Sequence, residues 1–270
     1  MLPPPQNLIF LAIIVFLSLF PFYLMFTSAT LSNEEILTET PKLFFGDKLI
    51  ENYDKVNSRM NMKRIMFNSL FITITYTFLS LILHSLAGYS LAKFEFKGKK
   101  IIFAMILVTL MIPIHVMLIP LFQMMVKIGW VNSYQAVILP SLANAFGIFL
   151  MKQNMENFPD SLIEAARIDG CNEISIFIKI VLPTMKPALG ALGIYNFMGQ
   201  WSNFMWPLII LRVKNVYTLP VALAALEGLQ RKDYGMMMFG SSLATIPIII
   251  IFLIFQRQFI SGIMGGSIKG

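Results

Sequence analysis

The sequence predicts an all-α membrane protein that crosses the bilayer six times. Of its 270 residues, 57% are hydrophobic and only 13% are charged, whereas soluble domains carry about 25% charged residues. The apolar residues gather in segments suited to crossing a hydrocarbon layer of about 30 Å as helices, the fourth being shorter than the rest. The six segments are residues 8–27, 67–91, 101–126, 135–151, 188–211 and 236–256.

Two polar stretches separate these segments on one side of the membrane. Residues 28–65 are too long for a turn, and we expect an extramembrane loop with a short helix around Glu34. In residues 212–235 we expect a short helix from Thr218 to Leu226, with Pro220 in its first turn, lying on the membrane surface. The chain therefore divides into residues 1–65 (first helix and loop), 66–258 (core membrane domain) and 259–270 (a short tail).

Several kinds of chemistry are excluded by residue type. Cys171 is the only cysteine, so an internal disulfide and a multi-cysteine metal site are excluded. The two histidines, His84 and His115, lack metal-ligand spacing, and the chain contains no phosphate-binding GxxxxGK[ST] loop. The net charge of +7 is spread over short loops without aromatic interleaving, which argues against nucleic-acid binding.

Polar side chains follow one face of the second and fifth spans. Thr73, Thr77, Ser80 and His84 share a face of the second span, either as contacts between helices or as the lining of a translocation path. In the fifth span, amides share a face and tryptophans flank them; these residues are Asn196, Gln200, Asn203, Trp201 and Trp206.

Amides bond to sugar hydroxyls and aromatic rings stack on the apolar faces of sugars. A polar solute therefore fits this face, and an amide network joining two subunits fits it equally. The candidates for a substrate path are Thr77, Ser80, Asn144, Asn196, Gln200, Trp201 and Asn203. His115 lies between Pro113 and Pro120 in the third span, where we expect one kinked helix.

Residues 152–187, here called the knuckle, form a partly charged, helix-forming stretch between the fourth and fifth spans. A first helix begins near Pro159, Gly170 stands where a left-handed C-terminal cap is expected, and Asn172 can cap a second helix that ends at Pro183. The spacing places Leu162, Ala165, Ala166 and Asp169 on one face, where small side chains admit a close partner. The second helix carries an apolar stripe of Ile174, Phe177, Ile178 and Val181.

The knuckle resembles the EAA loop of binding-protein-dependent ABC importer permeases. The string Glu-Ala-Ala, three residues, Gly, nine residues, Ile-x-Leu-Pro matches without a departure in spacing. The resemblance assigns contacts with an ATPase subunit to Glu164, Ala165, Ala166, Arg167, Asp169, Gly170, Ile180, Leu182 and Pro183.

The resemblance extends over most of the chain and is closest to the maltose-type carbohydrate branch. It rests on the run from Pro140 to Gly170, on Trp206-Pro207-Leu208 and on Thr218-Leu219-Pro220, whereas Ser202 stands where relatives usually have Asn. It implies a cell-membrane permease for a carbohydrate, without enzymatic activity, that forms half of a pore with a second, paralogous permease subunit. It also implies an extracytoplasmic solute-binding protein and an ABC ATPase dimer that binds ATP and Mg²⁺, while this chain binds no cofactor.

The side of the membrane on which the knuckle lies follows mainly from this resemblance. The knuckle and the basic loop from Lys93 to Lys100 lie on one side, and the four lysines of that loop favour the cytoplasm. An alternative function is a secondary transporter of a polar solute driven by an ion gradient. The predicted spans contain no Asp or Glu, which argues against such coupling.

Overall fold

The computed structural model describes residues 5–228 and 232–264, and all regular structure within these ranges is helical. The first eight helices are α1 Pro5–Ser28, α2 Asn33–Ile36, α3 Leu49–Arg59, α4 Met62–Lys93, α5 Lys99–Thr109, α6 Ile114–Lys127, α7 Tyr134–Ile138 and α8 Ala145–Glu156. The remaining helices are α9 Asp160–Ile168, α10 Glu173–Ile176, α11 Leu182–Thr184, α12 Lys186–Trp201, α13 Met205–Ile210, α14 Leu219–Glu227 and α15 Tyr234–Met264. Short 3₁₀ turns at Leu139–Ser141 and Lys214–Val216 and a π-helix at Phe177–Val181 complete the described structure.

Three helices are long and apolar enough to cross a membrane unaided: α1, α4 and α15. Three bent helix pairs meet the same criterion, which gives up to six crossings when each pair counts as one span. The membrane-crossing window of α1 buries none of its residues within the chain. α15 continues to Met264, into the predicted tail, and residues 265–270 lie outside the described residues.

The third span is broken rather than kinked, so the prediction of a single helix with two internal prolines was wrong. α5 ends at Thr109, α6 begins at Ile114, and the two axes differ by 100°. Pro113 stands directly before α6 with an extended ψ of 127°. A proline lacks the amide hydrogen that would continue the helix, and it disfavours a helical conformation in the residue before it.

The fourth and fifth spans are also interrupted. A bend of 46° separates residues 134–141 from α8, and α8 runs to Glu156, five residues beyond the predicted end of the span at residue 151. α12 ends at Trp201 and α13 begins at Met205, so Asn203 lies in a break and not on a continuous helix.

The chain divides into two compact units. Among the described residues, one comprises 5–66, 217–228 and 232–249, and the other comprises 67–216 and 250–264. In the first unit the side chain of Asn52 is fully buried and donates to the carbonyls of Ala29 and Leu31 at 3.0 and 2.9 Å. The predicted helix around Glu34 is confirmed as α2. The helix expected from Thr218 is confirmed as α14, and it buries Leu219, Val221, Ala222 and Leu226 in this unit.

In the second unit, α4 and α8 approach each other closely at Gly88. A Cβ atom on Gly88 would stand 2.7 Å from Cβ of Met151 and 2.9 Å from the backbone nitrogen of Lys152, so only glycine allows this approach. Next to the crossing lies the apolar core of the unit, which contains Tyr89, Met151, Met155, Phe158, Ile163, Ala166, Ile176, Phe177, Val181, Met185, Ala188 and Leu192. This core is shared by α4, α8, the knuckle and α12, so the knuckle is packed onto the ends of the spans.

Candidate functional site

The turn of the knuckle has the predicted glycine geometry. Gly170 adopts a φ of +81°, in the left-handed region that favours glycine. The amide of Cys171 donates to the Ala166 carbonyl at 3.0 Å and that of Gly170 to the Arg167 carbonyl at 3.1 Å. This pair of bonds is the Schellman motif that closes a helix C-terminus. The end of α9 is therefore fixed by backbone bonds.

The second limb begins as predicted and then departs from a regular α-helix. The Asn172 side chain accepts a hydrogen bond from the Ser175 amide at 2.8 Å and caps α10. A π-helix follows over Phe177–Val181, and α11 includes Pro183 and ends at Thr184. The prediction that Pro183 ends the helix was wrong by one residue. A π-turn shifts the register of the helix, so the predicted apolar stripe is split: Phe177 and Val181 are buried, while Ile174 and Ile178 are exposed.

The first limb buries a different face from the one predicted. Ile163 and Ala166 are 2% and 6% exposed and pack into the chain's own core, whereas Leu162, Ala165 and Asp169 face outward. The prediction that Ala166 shares one exposed face with them was therefore wrong. Of the other predicted contact residues, Glu164, Arg167, Gly170 and Pro183 are exposed and Ile180 and Leu182 are half-buried. The exposed surface also carries four large apolar side chains: Leu162, Ile168, Ile174 and Ile178.

Polar side chains brace both limbs of the knuckle. Arg167 Nε donates to Glu173 Oε1 at 2.6 Å and so joins the two limbs across Gly170. This hydrogen bond holds the pKa of Glu173 below its ordinary value and raises the pKa of Arg167. The hydroxyl of Tyr89 in α4 donates to Glu173 Oε2 at 3.4 Å. Lys93, the last residue of α4, bonds the Phe158 carbonyl and Asp160 at the start of the knuckle.

A cavity of about 530 Å³ lies in the same unit, apart from the knuckle. The broken ends of the third, fourth and fifth spans surround it. Its polar wall includes the four predicted amides, which are Asn144, Asn196, Gln200 and Asn203, together with Ser141 and Ser202. Aromatic side chains form the rest of the wall, among them Tyr76, Tyr195, Phe204 and Trp206. The indole of Trp206 is held in place because its Nε1 donates to the Ala136 carbonyl at 2.8 Å.

The four amide side chains differ in how many of their hydrogen-bonding groups have a partner within the chain. Asn196 is buried and its Nδ2 donates to Ser80 Oγ at 2.8 Å, which joins α12 to α4. Asn144 accepts from the Phe146 amide at 2.8 Å and caps α8, so its carbonyl is committed to the fold. Gln200 is 7% exposed, its Oε1 accepts a 3.4 Å bond from Asn203, and its Nε2 has no partner among the described residues. Gln200 therefore lines the cavity and holds an unused donor, whose nitrogen is buried from solvent.

The structure separates three predicted path residues from this cavity. Ser80 is fully buried and is used in the bond to Asn196; Trp201 is 3% exposed and stacks on Phe197. Thr77 lies beside a different, largely apolar groove. Sequence reasoning missed Ser141 and Tyr195, although each lies close in sequence to a predicted amide. It also missed Lys93 and Tyr89 as braces, because no local pattern pairs them with the knuckle.

Comparison with known proteins identifies the family. Residues 84–264 match the model of the binding-protein-dependent transport system inner membrane component. The arabinooligosaccharides transport system permease protein AraQ of Halalkalibacterium halodurans is 37% identical over 262 residues, covering 96% of this chain and 94% of that protein. The lactose transport system permease protein LacG of Rhizobium radiobacter is 36% identical over 259 residues, covering 96% and 94%.

A solved structure has the same fold. A chain of a bacterial ABC transporter involved in the import of the acidic polysaccharide alginate superposes with a TM-score of 0.81 at 23% identity, covering 94% of this chain and 95% of that one. The chain belongs to the binding-protein-dependent transport system inner membrane components: it is a non-catalytic, multi-pass permease subunit of an ABC importer, whose partners are a second permease subunit, ATPase subunits and a substrate-binding protein.

Proposed function

We propose that this subunit lines half of the import path for an uncharged oligosaccharide, and that the solute contacts the cavity at Asn196, Gln200 and Asn203. The names of AraQ and LacG support a saccharide, since they describe transport of arabinooligosaccharides and of lactose. The other half of the path would come from a second, paralogous permease subunit.

The chemistry of the cavity supports an uncharged solute. Its described lining residues include the imidazole of His115 but no Lys, Arg, Asp or Glu, so no carboxylate, ammonium or guanidinium group balances an acidic or a basic solute. A carboxylate or phosphate moved into such a site would lose its hydration without gaining a charged partner. Amides, hydroxyls and aromatic rings bind sugars without any charge, through hydrogen bonds to hydroxyls and stacking on apolar ring faces.

The observation that carries this proposal is that the side-chain donor of Gln200 has no hydrogen-bond partner among the described residues. Its Nε2 is buried and unpartnered, although a buried polar group without a hydrogen bond costs about 1–3 kcal/mol. If the side-chain amide turns toward the cavity, a passing hydroxyl would satisfy this donor for as long as the solute is in contact. Such a contact is weak enough to release the solute, which transport requires.

The substitution Gln200→Leu tests the contact, with uptake of arabinooligosaccharides and of lactose measured in proteoliposomes that hold the complete importer. We expect uptake of at least one of these sugars to fall by about tenfold, the equivalent of one lost hydrogen bond of 1.4 kcal/mol. Gln123→Leu is the matched control, because Gln123 is exposed on α6 and does not line the cavity. Equal uptake by the two variants would show that the solute passes elsewhere.

We also propose that the knuckle lies in the cytoplasm and docks onto the ATPase subunit, which binds ATP and Mg²⁺, and that the chain makes six crossings. The exposed residues Glu164, Ala165, Arg167 and Asp169 surround the turn at Gly170 and would contact the ATPase. Ala166 would contribute indirectly, because it is buried and packs α9 against the core. Ile180, Leu182 and Pro183 would anchor the second limb to the fifth span.

The native Cys171 reports the side on which the knuckle lies. It is exposed, it follows Gly170 directly, and it is the only cysteine of the chain. A membrane-impermeant maleimide should label it in inside-out vesicles and not in intact cells. Added ATPase subunit should protect it from the reagent in the vesicles. Labelling of intact cells would place the knuckle outside and would contradict the docking proposal.

A further inference from the structure

The segment from Pro41 to Gly46, here called the aromatic loop, exposes large apolar side chains next to the end of α1. Phe44 and Phe45 are 85% and 62% exposed, and Leu43 is 44% exposed. Leu37, Leu49 and Ile50, close by in sequence, are also exposed. An apolar surface of this kind marks a site that meets a membrane or another protein.

Contacts with α1 set the depth of the aromatic loop. The hydroxyl of Tyr23 donates to the Leu43 carbonyl, and the rings of Tyr23 and Phe45 meet edge to face with centroids 6.1 Å apart. Tyr23 lies five residues before Ser28, the last residue of α1. At 1.5 Å per residue, Tyr23 is about 7–8 Å below the helix end. The aromatic loop therefore returns to the level of the last apolar turns of a membrane-crossing helix.

The aromatic loop is held in this position from both ends. Lys42 Nζ lies 2.8 Å from Glu35 Oε1, and Glu35 also completes the capping box of α2 with Ser32. On the far side, the Gly46 amide donates to Thr30 Oγ1 at 2.8 Å. A Cβ on Gly46 would stand 2.6 Å from the Thr30 carbonyl oxygen, so the loop closes tightly against the end of α1. Its exposed rings are therefore presented by a braced segment.

We propose that the aromatic loop is seated in the membrane interface, with Phe44 and Phe45 among the lipid headgroups and upper acyl chains. The loop continues the surface of α1, whose membrane-crossing window buries none of its residues within this chain. Aromatic residues favour this layer, and Tyr23 shields one backbone carbonyl of the loop that would otherwise be costly near hydrocarbon. The nearby lysine is paired with Glu35, so the attraction is apolar and does not depend on anionic lipid.

Site-directed spin labelling of the complete importer, in bilayers of phosphatidylethanolamine and phosphatidylglycerol, tests whether the aromatic loop lies in the membrane interface. Cys171→Ser provides a cysteine-free chain, because Cys171 is the only cysteine. Labels are then placed by Phe44→Cys, by Phe16→Cys in the middle of α1 and by Asp54→Cys on exposed α3. The readout is the collision rate of each label with oxygen, which partitions into lipid, against that with a water-soluble nickel chelate.

We expect the Phe44 label to lose collisions with the nickel chelate and gain collisions with oxygen relative to the Asp54 label, shifting toward the Phe16 label. Adding Tyr23→Phe should shift the Phe44 label back toward water, because the loop loses its bond to α1. If the labelled chain folds poorly, tryptophan fluorescence is the alternative readout. Brominated lipid should quench more fluorescence in Phe44→Trp than in the unsubstituted chain, which has three tryptophans of its own.

Two outcomes would overturn the proposal. In one, the Phe44 label is as accessible to the nickel chelate as the Asp54 label in the complete importer. In the other, the label is shielded only after the substrate-binding protein is added, which would make the aromatic loop a protein-docking surface. Both outcomes leave the proposed sugar contact at Gln200 untouched, so a failure here is distinguishable from a failure there.

Discussion

The ammonium group of Lys93 lies 2.6 Å from the Phe158 carbonyl and 2.6 Å from the Asp160 carboxylate. The side chain is only 4% exposed, so this lysine joins the last residue of α4 to the first turn of the knuckle. With the Tyr89 contact to Glu173, α4 holds both limbs of the knuckle. A force applied to the knuckle by the proposed ATPase contact would therefore be transmitted to α4 as well as to α12, the helix that follows the knuckle in the chain.

Replacing Lys93 with methionine should weaken this connection. Lys93→Met leaves the Phe158 carbonyl without its partner, and we expect the free energy of unfolding to fall by about 1–3 kcal/mol. We also expect less solute to be transported for each ATP hydrolysed in proteoliposomes. The control is Lys99→Met, which breaks a pair with Glu95, a residue that is 91% exposed on its side chain. An unchanged transport ratio in Lys93→Met would mean that α4 does not take part in coupling.

Gly170 should tolerate a neutral side chain better than a charged one. Its φ of +81° is accessible to Asn and Asp at modest cost, and no atom lies within 4 Å of a Cβ built there. Gly170→Asp should therefore fold but uncouple transport from ATP hydrolysis, because it adds a negative charge to the proposed docking surface. Gly170→Asn has nearly the same shape without the charge and should retain more coupling. Normal transport by Gly170→Asp would count against docking at this turn.

The crossing of α4 and α8 should fail when Gly88 gains a methyl group. Gly88→Ala places a Cβ within 3.0 Å of the backbone of Met151 and Lys152, which cannot move independently of α8. We expect a loss of about 1–3 kcal/mol, as for other overpacked cores. A lower midpoint of thermal unfolding in detergent is the measurement. Gly199→Ala is the comparison, since nothing lies within 4 Å of its added Cβ, and equal midpoints would contradict this account.

The carboxyl group of Glu35 should remain ionised in acid. Hydrogen bonds from Lys42 and Ser32 lower its pKa from 4.5 to about 2. Because the folded pKa is the lower one, its stabilising effect is complete above pH 4.5 and is lost as the pH falls toward 2. A titration of the carboxyl signal by infrared or NMR spectroscopy should have its midpoint near pH 2. In Lys42→Gln the midpoint should rise, and a midpoint that is the same in both proteins would rule out the pair as the cause.

Local features were predictable where a few neighbouring residues decide the outcome. Gly170 and Asn172 were identified as cap and N-cap from sequence, and both are confirmed because cap geometry depends on residue type and on bonds within one turn. The short helices at α2 and α14 were likewise foreseen. The shared face of Asn196, Gln200 and Asn203 does border one cavity, although Asn203 reaches it from a helix break.

Features that depend on distant segments were not predictable. Pattern alone could not show that Ala166 faces the core, because α9 has apolar residues on both sides and the choice depends on where α8 and the second limb lie. The side-chain carbonyl of Asn144 is used as a helix cap; this bond is local, but it forms only because the fourth span is interrupted before α8, which the prediction of one continuous span did not foresee. The third span contains two prolines in an otherwise apolar run, and hydropathy does not distinguish a kink from a bend of 100°.

The sequence by itself determined that the chain crosses a membrane, that its knuckle turns at Gly170 and that it lacks a phosphate-binding loop of its own. These properties follow from hydropathy, residue type and short-range spacing, which are complete in the chain. Only the tertiary structure decided which alanine faces outward, which amide keeps a free donor and how Lys93 holds the knuckle. Those outcomes depend on contacts between residues far apart in sequence, where packing and hydrogen-bond satisfaction select one arrangement among many with the same local pattern.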